Sequence, residues 1–413
     1  MGAQVVKQYM EDYGVLRGLW ALGYKCLHRP LVKGYTRYLR RFGKVQKNRI
    51  LFESKPDFSD NALAIFRHML DNGMDRRYEL VWLVTDPGTC AEKYPEYARY
   101  FHPRHTRRYN EFPLKSVKLY MESGYIMATH EFSIRKKDSH PDQVYIRLWH
   151  GCGYKDTEKK SDGTILFDKA LVPGPLFIGT KAAFWNMPET AFLAKGLPRY
   201  DWLRSTTEKA RHYADSLRDR GGKLIIWMPT FRNNRAGDKP ENIISTFPLL
   251  ARQSDWEALD QVCREQKTVV LVKLHMVQKE YAIDFSRLTN IRKLTNDDFD
   301  AAGITMYDFL GATDGLISDY SSVAVDYLVV DKPLAFALDD FEVYRNTRGF
   351  VFEDPRVYMP GHHMYTREDL YRYVSDVARE EDPYRQKRLE MMEQGLYRSD
   401  GYCAEILREL GIC

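Results

Sequence analysis

The stretch Gly315-Leu316-Ile317-Ser318-Asp319-Tyr320-Ser321-Ser322-Val323-Ala324-Val325-Asp326-Tyr327 reads as a short apolar strand, a polar loop and the start of a helix over 322–330. In an open α/β sheet, ligands bind beyond the carboxyl ends of the strands, where loops enter helices. Ser321 and Ser322 stand at such a point. One reading is plain N-capping, the commonest use of serine at a helix start. The other aims their hydroxyls and the backbone N–H groups at a phosphate, which the helix dipole favours.

Outward from this stretch the same alternation repeats. Apolar runs at 50–52, 80–84, 125–128 and 144–148 read as strands, with a helix over 61–74. A second round places strands at 224–227, 269–272, 315–317 and 334–337, with a helix over 256–263. Continuous apolar runs of this length suit strands covered on both faces, as in a parallel sheet. Strands alternating with helices give an α/β fold. The expected organisation is a basic segment over 1–48, an amino-terminal Rossmann-like domain over 49–205 and a carboxy-terminal one over 206–413. The second ends in a helical tail at 367–379, 385–394 and 404–410.

The chain has 413 residues, 44% hydrophobic and 29% charged, a mix that excludes a disordered or fibrous protein. Charges interrupt every apolar run well before the ~18 residues of a membrane span. The first residues lack a signal peptide's order of basic start, apolar core and cleavage site, so a cytoplasmic protein is expected. Six scattered cysteines without a CxxC pair argue against a disulfide framework and a structural zinc.

Charge is unevenly placed. Residues 1–50 hold eleven Lys and Arg against Glu11 and Asp12, whereas the whole chain carries only +5. Val5, Tyr9, Tyr13, Leu16, Trp20, Tyr24 and Leu27 recur at steps of three and four, an amphipathic helical stripe beside the basic stretch 29–49. The favoured partner is the inner face of a membrane, with Trp and Tyr at headgroup level and cations drawn to anionic lipid. Packing of the stripe on the protein body is the alternative, and nucleic acid is set aside as a partner.

Four further loops carry candidate chemistry. Trp149-His150-Gly151-Cys152-Gly153-Tyr154-Lys155 follows a strand; His150 suits a general base, Gly151 belongs to a glycine-rich bend and Lys155 suits an anion. Cys152 as a nucleophile has no acidic orienter nearby. Thr230 and Arg232, after the 224–227 strand, are candidate phosphate contacts. Lys273-Leu274-His275 ends the next strand, and Gly196-Leu197-Pro198-Arg199-Tyr200-Asp201 marks a turn in which Arg199 could simply pair with Asp201. There is no GxxxxGK[ST], no GxGxxG after the first strand and no HExxH. Asp339-Asp340 is an acidic pair of the kind that binds Mg²⁺, with a solvated turn as the plainer reading.

Taken in order, these segments resemble the CDP-glycerol glycerophosphotransferase family of teichoic-acid primases and polymerases. The resemblance runs through Trp149-His150-Gly151 with Lys155, then Gly196, Pro198, Arg199 and Asp201, then Pro229-Thr230-Phe231-Arg232. It continues through Lys273 and His275 to Ser318-Asp319-Tyr320-Ser321-Ser322 with Asp326, Lys332-Pro333, Tyr344 and Arg348-Gly349-Phe350, covering about 50–375. Cys152-Gly153 and Met276 depart from the family's usual residues, which bears on substrate detail. By size the chain looks closer to a primase or a short capsule-type transferase than to the long polymerases.

The resemblance implies a GT-B-like architecture, two Rossmann-like domains facing across a cleft with CDP-glycerol held mainly by the second. It implies transfer of glycerol phosphate to a hydroxyl of a membrane-bound, lipid-linked glycan or polyol-phosphate acceptor, with release of CMP. His150 is then the general base, and His275 the second catalytic group. Gly151, Lys155, Arg199, Thr230, Arg232, Lys273, Asp319, Ser321, Ser322 and Asp326 are expected to bind substrate. No cofactor is obligatory, although Mg²⁺ on the pyrophosphate is compatible. A CDP-ribitol donor, a nucleotide-sugar glycosyltransferase and a non-catalytic nucleotide-binding protein are the alternatives.

Overall fold

In the computed structural model, the described residues are 15–104, 112–156, 164–219, 221–230, 247–273 and 283–413, with side chains described from residue 26 onward. Two parallel sheets organise the chain. The first contains β1 (Gln46–Glu53), β2 (Glu79–Val84), β3 (Phe101–Pro103), β4 (Ser123–Ala128), β5 (Val144–Arg147), β6 (Lys169–Leu171) and β7 (Phe192–Leu193). Its strand order is β3-β2-β1-β4-β5-β6-β7. The second contains β8 (Lys223–Trp227), β9 (Thr268–Lys273), β10 (Ile291–Leu294), β11 (Gly315–Ser318), β12 (Leu334–Ala337) and β13 (His362–Met364). It runs β10-β9-β8-β11-β12-β13.

Each sheet therefore starts at its centre, builds outward to one edge, and then reverses to build the other. That is the doubly wound Rossmann order, with switch points between β1 and β4 and between β8 and β11. The central strands are apolar because helices cover both faces: all six residues of β9 and all four of β11 and β12 are buried. The outlying strands β3, β6, β7 and β13 have only two or three residues each, too few to show a period in the sequence.

The chain does not stay in the second half once it arrives there. The helix Arg385–Gly395 reaches the Pro175–Phe177 turn, and the helix Tyr402–Glu409 packs on the helices Asp60–Asp71 and Tyr200–Arg204. The tail expected as part of the carboxy-terminal domain thus returns to the first sheet. Gly174 and Gly196 permit this crossing: a Cβ on Gly174 would lie 2.3 Å from Leu396 Cα, and one on Gly196 2.4 Å from the Tyr402 ring. Gly196 also has φ +75, a conformation that favours glycine.

The helix Val15–Phe42 runs on through Pro30, well past the stripe read from the sequence. Of that stripe, residues 5–13 lie outside the described residues, and Leu27 is 77% exposed. The inner face of its second half is a different row: His28, Val32, Tyr35 and Leu39 turn inward, and the His28 ring bonds the Phe112 carbonyl at 3.0 Å. Leu27, Leu31, Tyr38 and Phe42 turn outward beside exposed Arg29, Lys33, Arg37, Arg40 and Arg41. The packed row and the exposed row thus occupy different faces of one helix.

Candidate active site between the two sheets

The carboxyl ends of both sheets face one cleft of about 480 Å³. Its lining includes Lys55, Asp57 and Asp60 after β1, His150 after β5, Met228 and Pro229 after β8, Lys273 at the end of β9 and Ser321 after β11. These loops include the switch-point loops of the two sheets, where Rossmann-ordered folds hold ligands.

The turn after β1 is strained: Phe58 and Asp60 have φ of +51 and +60, a region that costs a residue with a Cβ about 1–2 kcal/mol. The strain lies beside the cleft, as stored strain tends to lie beside functional sites. It places Asp60 at the start of the helix Asp60–Asp71, within 2.7 Å of Arg199 Nη1.

His150 is held by its own sheet. Its Nδ1–H donates to the Thr129 carbonyl at 3.4 Å, which leaves Nε2 with the free lone pair. Burial and the neighbouring His130 push its pKa down to about 4, so the imidazole is neutral near pH 7. The next residues form the expected glycine bend, and the two glycines serve packing. A Cβ on Gly151 would sit 2.5 Å from Ser322 Oγ, and one on Gly153 2.8 Å from the Ser322 nitrogen. The bend of the first sheet thus lies directly on the helix Ser322–Tyr327 of the second. Cys152 is buried and its thiol is pushed up to about 11 by burial, which removes it as a nucleophile.

From the second sheet, Lys273 is 7% exposed and lines the cleft. Burial lowers its pKa, the signature of a cation held out of water. Ser321 occupies the N-cap position but its side chain makes no capping bond, so the capping reading fails there, and the residue lines the cleft. Ser322 instead meets Gly151 and Gly153.

Several sequence expectations are corrected. Arg199 does not pair with Asp201. Its guanidinium bonds Asp60, the His150 carbonyl at 3.1 Å and Asp326 at 2.5 Å, while Asp201 accepts the backbone N–H groups of Tyr402 and Cys403. Asp326 is fully buried and also accepts from Tyr200 and Tyr307 at 2.8 and 2.9 Å, so it ties the two halves together from behind the cleft lining. Asp319, equally buried, accepts from the Thr230 nitrogen and hydroxyl and fixes the turn after β8. The Thr230 hydroxyl is committed to that bond. Lys155 lies in an antiparallel bridge with Phe350, away from the cleft lining. Arg232 and His275 fall outside the described residues.

Other residues were not singled out by the sequence. Asn61 ties the Leu148 and Trp149 carbonyls to the Arg199 nitrogen, and Lys93 bridges the cleft mouth to Asp300 at 2.6 Å. Trp202, Phe299 and Tyr307 add aromatic wall. The Asp339-Asp340 pair is engaged elsewhere, Asp339 by the Leu249 N–H and Asp340 by the Tyr320 hydroxyl.

Residues 35–410 match the family model described as CDP-Glycerol:Poly(glycerophosphate) glycerophosphotransferase. The chain belongs to this family. Among its relatives, the teichoic acid ribitol-phosphate polymerase TarL of Staphylococcus aureus is 25% identical over 392 residues, covering 87% of this chain and 61% of that protein. The ribitol-phosphate polymerase TarK of the same organism is 29% identical over 330 residues, 76% of this chain and 59% of that one. The teichoic acid glycerol-phosphate primase of Bacillus spizizenii is 26% identical over 323 residues, 71% and 76% of the two chains. The chain thus spans about 60% of the length of the two staphylococcal polymerases. In three dimensions it matches the wall teichoic acid polymerase TagF with a TM-score of 0.68 over 95% of each chain at 19% identity. The fold of this family member is accordingly GT-B-like, two Rossmann-like domains across a cleft.

Proposed function

We propose that this chain transfers glycerol phosphate from CDP-glycerol to a hydroxyl of a lipid-linked glycan or polyol-phosphate acceptor in teichoic-acid or related polymer synthesis, releasing CMP. The observation that carries the reading is the pairing across one cleft of a neutral imidazole, His150, with a buried cation, Lys273. Nε2 of His150 takes the proton of the acceptor hydroxyl. The acceptor oxygen forms a bond to the phosphorus bearing glycerol, the bond from that phosphorus to the bridging oxygen breaks, and CMP leaves with the electron pair. Lys273 and the Ser321 hydroxyl offset the growing negative charge, a role the resemblance also gives to Arg232 and His275. The first sheet then receives the acceptor and the second the donor.

The names of the relatives favour a second donor, CDP-ribitol, since both staphylococcal polymerases are ribitol-phosphate enzymes. TagF has been solved after a CDPG soak, which favours the first. Among the described residues, the three carboxylates lining the cleft each face a cation, Asp57 with Arg104, Asp60 with Arg199 and Asp300 with Lys93. We therefore assign charge neutralisation to side chains, and expect turnover to persist in EDTA.

The experiment is CMP release from CDP-glycerol and CDP-ribitol with lipid-linked acceptor, by wild type and His150→Ala. Acceptor-dependent release from one donor, reduced by about 100-fold or more in the variant, supports a general base. No release from either donor by folded protein overturns the proposal.

We further place the chain on the cytoplasmic face of the membrane through the outer row of the helix Val15–Phe42. No helix among the described residues is long and apolar enough to cross a membrane. Leu27, Leu31, Tyr38 and Phe42 with their flanking cations suit an anionic surface, each cation contributing about 1 kcal/mol. Co-sedimentation with phosphatidylglycerol vesicles should fall several-fold in Leu31→Asp and disappear with phosphatidylcholine alone; equal binding to both overturns this assignment.

A further inference from the structure

The side chain of His130, two residues after β4, lies flat against His150. The two ring centroids are 4.4 Å apart and their planes differ by 9°. Trp149 approaches the same imidazole, with centroids 4.0 Å apart and an interplanar angle of 40°. Thr129 completes the cradle: its carbonyl takes the His150 Nδ1–H, while its hydroxyl meets His130 Nδ1 at 3.0 Å. Two consecutive positions after β4, Thr129 and His130, thus act on one ring that follows β5, joined by Trp149 from its own loop.

We propose that His130 is a positioning residue for His150, holding that ring in the plane that keeps Nε2 available and sharing with it at most one proton. The inference rests on the reading of His150 as the base. Two imidazolium rings stacked face to face would place like charges about 4 Å apart in a half-buried site, an arrangement that proteins avoid by keeping one group neutral. The other charged groups near the pair do not undo this. Asp60 favours protonation of both rings and Glu131 that of His130; Lys55 and Arg147 oppose it at His130, and Arg199 opposes it at His150. A ring that stays neutral to low pH is a base ready at pH 7. A ring held flat loses less freedom when the acceptor arrives.

The test is a histidine ¹³C NMR titration of the substrate-free protein, with pH profiles of kcat and KM for CMP release, in wild type, His130→Phe and His130→Ala. Phe keeps a flat ring but no titrating group. The His150 midpoint should rise by roughly one unit in His130→Phe once the competing charge is gone. His130→Ala should lose about 10-fold or more in kcat with little change in KM, and His130→Phe should retain more of kcat than His130→Ala. An unmoved His150 midpoint in His130→Phe, or an unchanged kcat in folded His130→Ala, overturns the proposal. The His150→Ala variant separates the two readings. If it keeps full activity, the base assignment fails by itself, and the titration still reports on the stack.

Discussion

The two crevices that face each other across the cleft are built by one topology and carry opposite chemistry. Both lie at the switch point of a sheet with the same strand order. The crevice of the first sheet holds two carboxylates and an imidazole, Asp57, Asp60 and His150, with His130 stacked behind the last. The crevice of the second holds a buried lysine and an uncapped serine hydroxyl, Lys273 and Ser321. Strand order decides where a ligand goes, because only at the switch point do neighbouring loops diverge and leave room. Which side chains end the strands decides what each crevice does: one is suited to taking a proton, the other to receiving negative charge.

The comparison breaks most severely at the residue that both crevices share. Arg199 is buried between Asp60 of the first half and Asp326 of the second. Arg199→Met should lower unfolding free energy by roughly 3–5 kcal/mol, since it strands the buried Asp326 carboxylate and leaves the half-buried Asp60 unpaired. Urea denaturation measures this, and a loss below about 1 kcal/mol would mean that the halves are held by packing alone.

A smaller effect isolates the first crevice. His150 has a folded pKa near 4, below its ordinary value of 6.5, so the unfolded chain binds a proton that the folded chain refuses. Its contribution makes stability fall as pH drops from about 6.5 to about 4 and level off below, by at most roughly 3–4 kcal/mol. In His150→Phe this slope should flatten; an identical slope would assign it to other groups.

The second crevice is isolated by Lys273→Met. Losing a charge-assisted contact worth about 1.5–3 kcal/mol should raise the KM for donor about 10- to 100-fold, while KM for acceptor moves little. A change confined to the acceptor would reverse the assignment of the two crevices. Ser321→Ala, which removes a neutral hydroxyl, should cost only about 2- to 10-fold in kcat/KM. A larger loss would make that hydroxyl a principal phosphate ligand.

These outcomes depend on different levels of information. The long apolar runs of β2, β4, β8 and β9 were legible because strands covered on both faces need no polar alternation. The motif residues His150, Lys273 and Ser321 were legible because each follows or ends such a run. Asp319 and Asp326 are equally visible as motif residues, but their partners are not. Their carboxylates look suited to substrate in sequence, and only the fold shows them buried against Thr230, Arg199, Tyr200 and Tyr307. His130 and Asp60 had no sequence signal at all, since their partners His150 and Arg199 stand 20 and 139 positions away.

What the sequence determined by itself was local: which segments bury both faces, where loops enter helices, and which loops carry an imidazole, a lysine or paired serines. These follow from period, composition and turn chemistry within a few residues. What only the tertiary structure decided was mutual: the register that lays Gly151 and Gly153 on Ser322, the return of the last helices to the first sheet, and the stacking of His130 on His150. Such contacts join residues far apart in the chain. Their geometry follows from how two twisted sheets pack, which no single segment encodes.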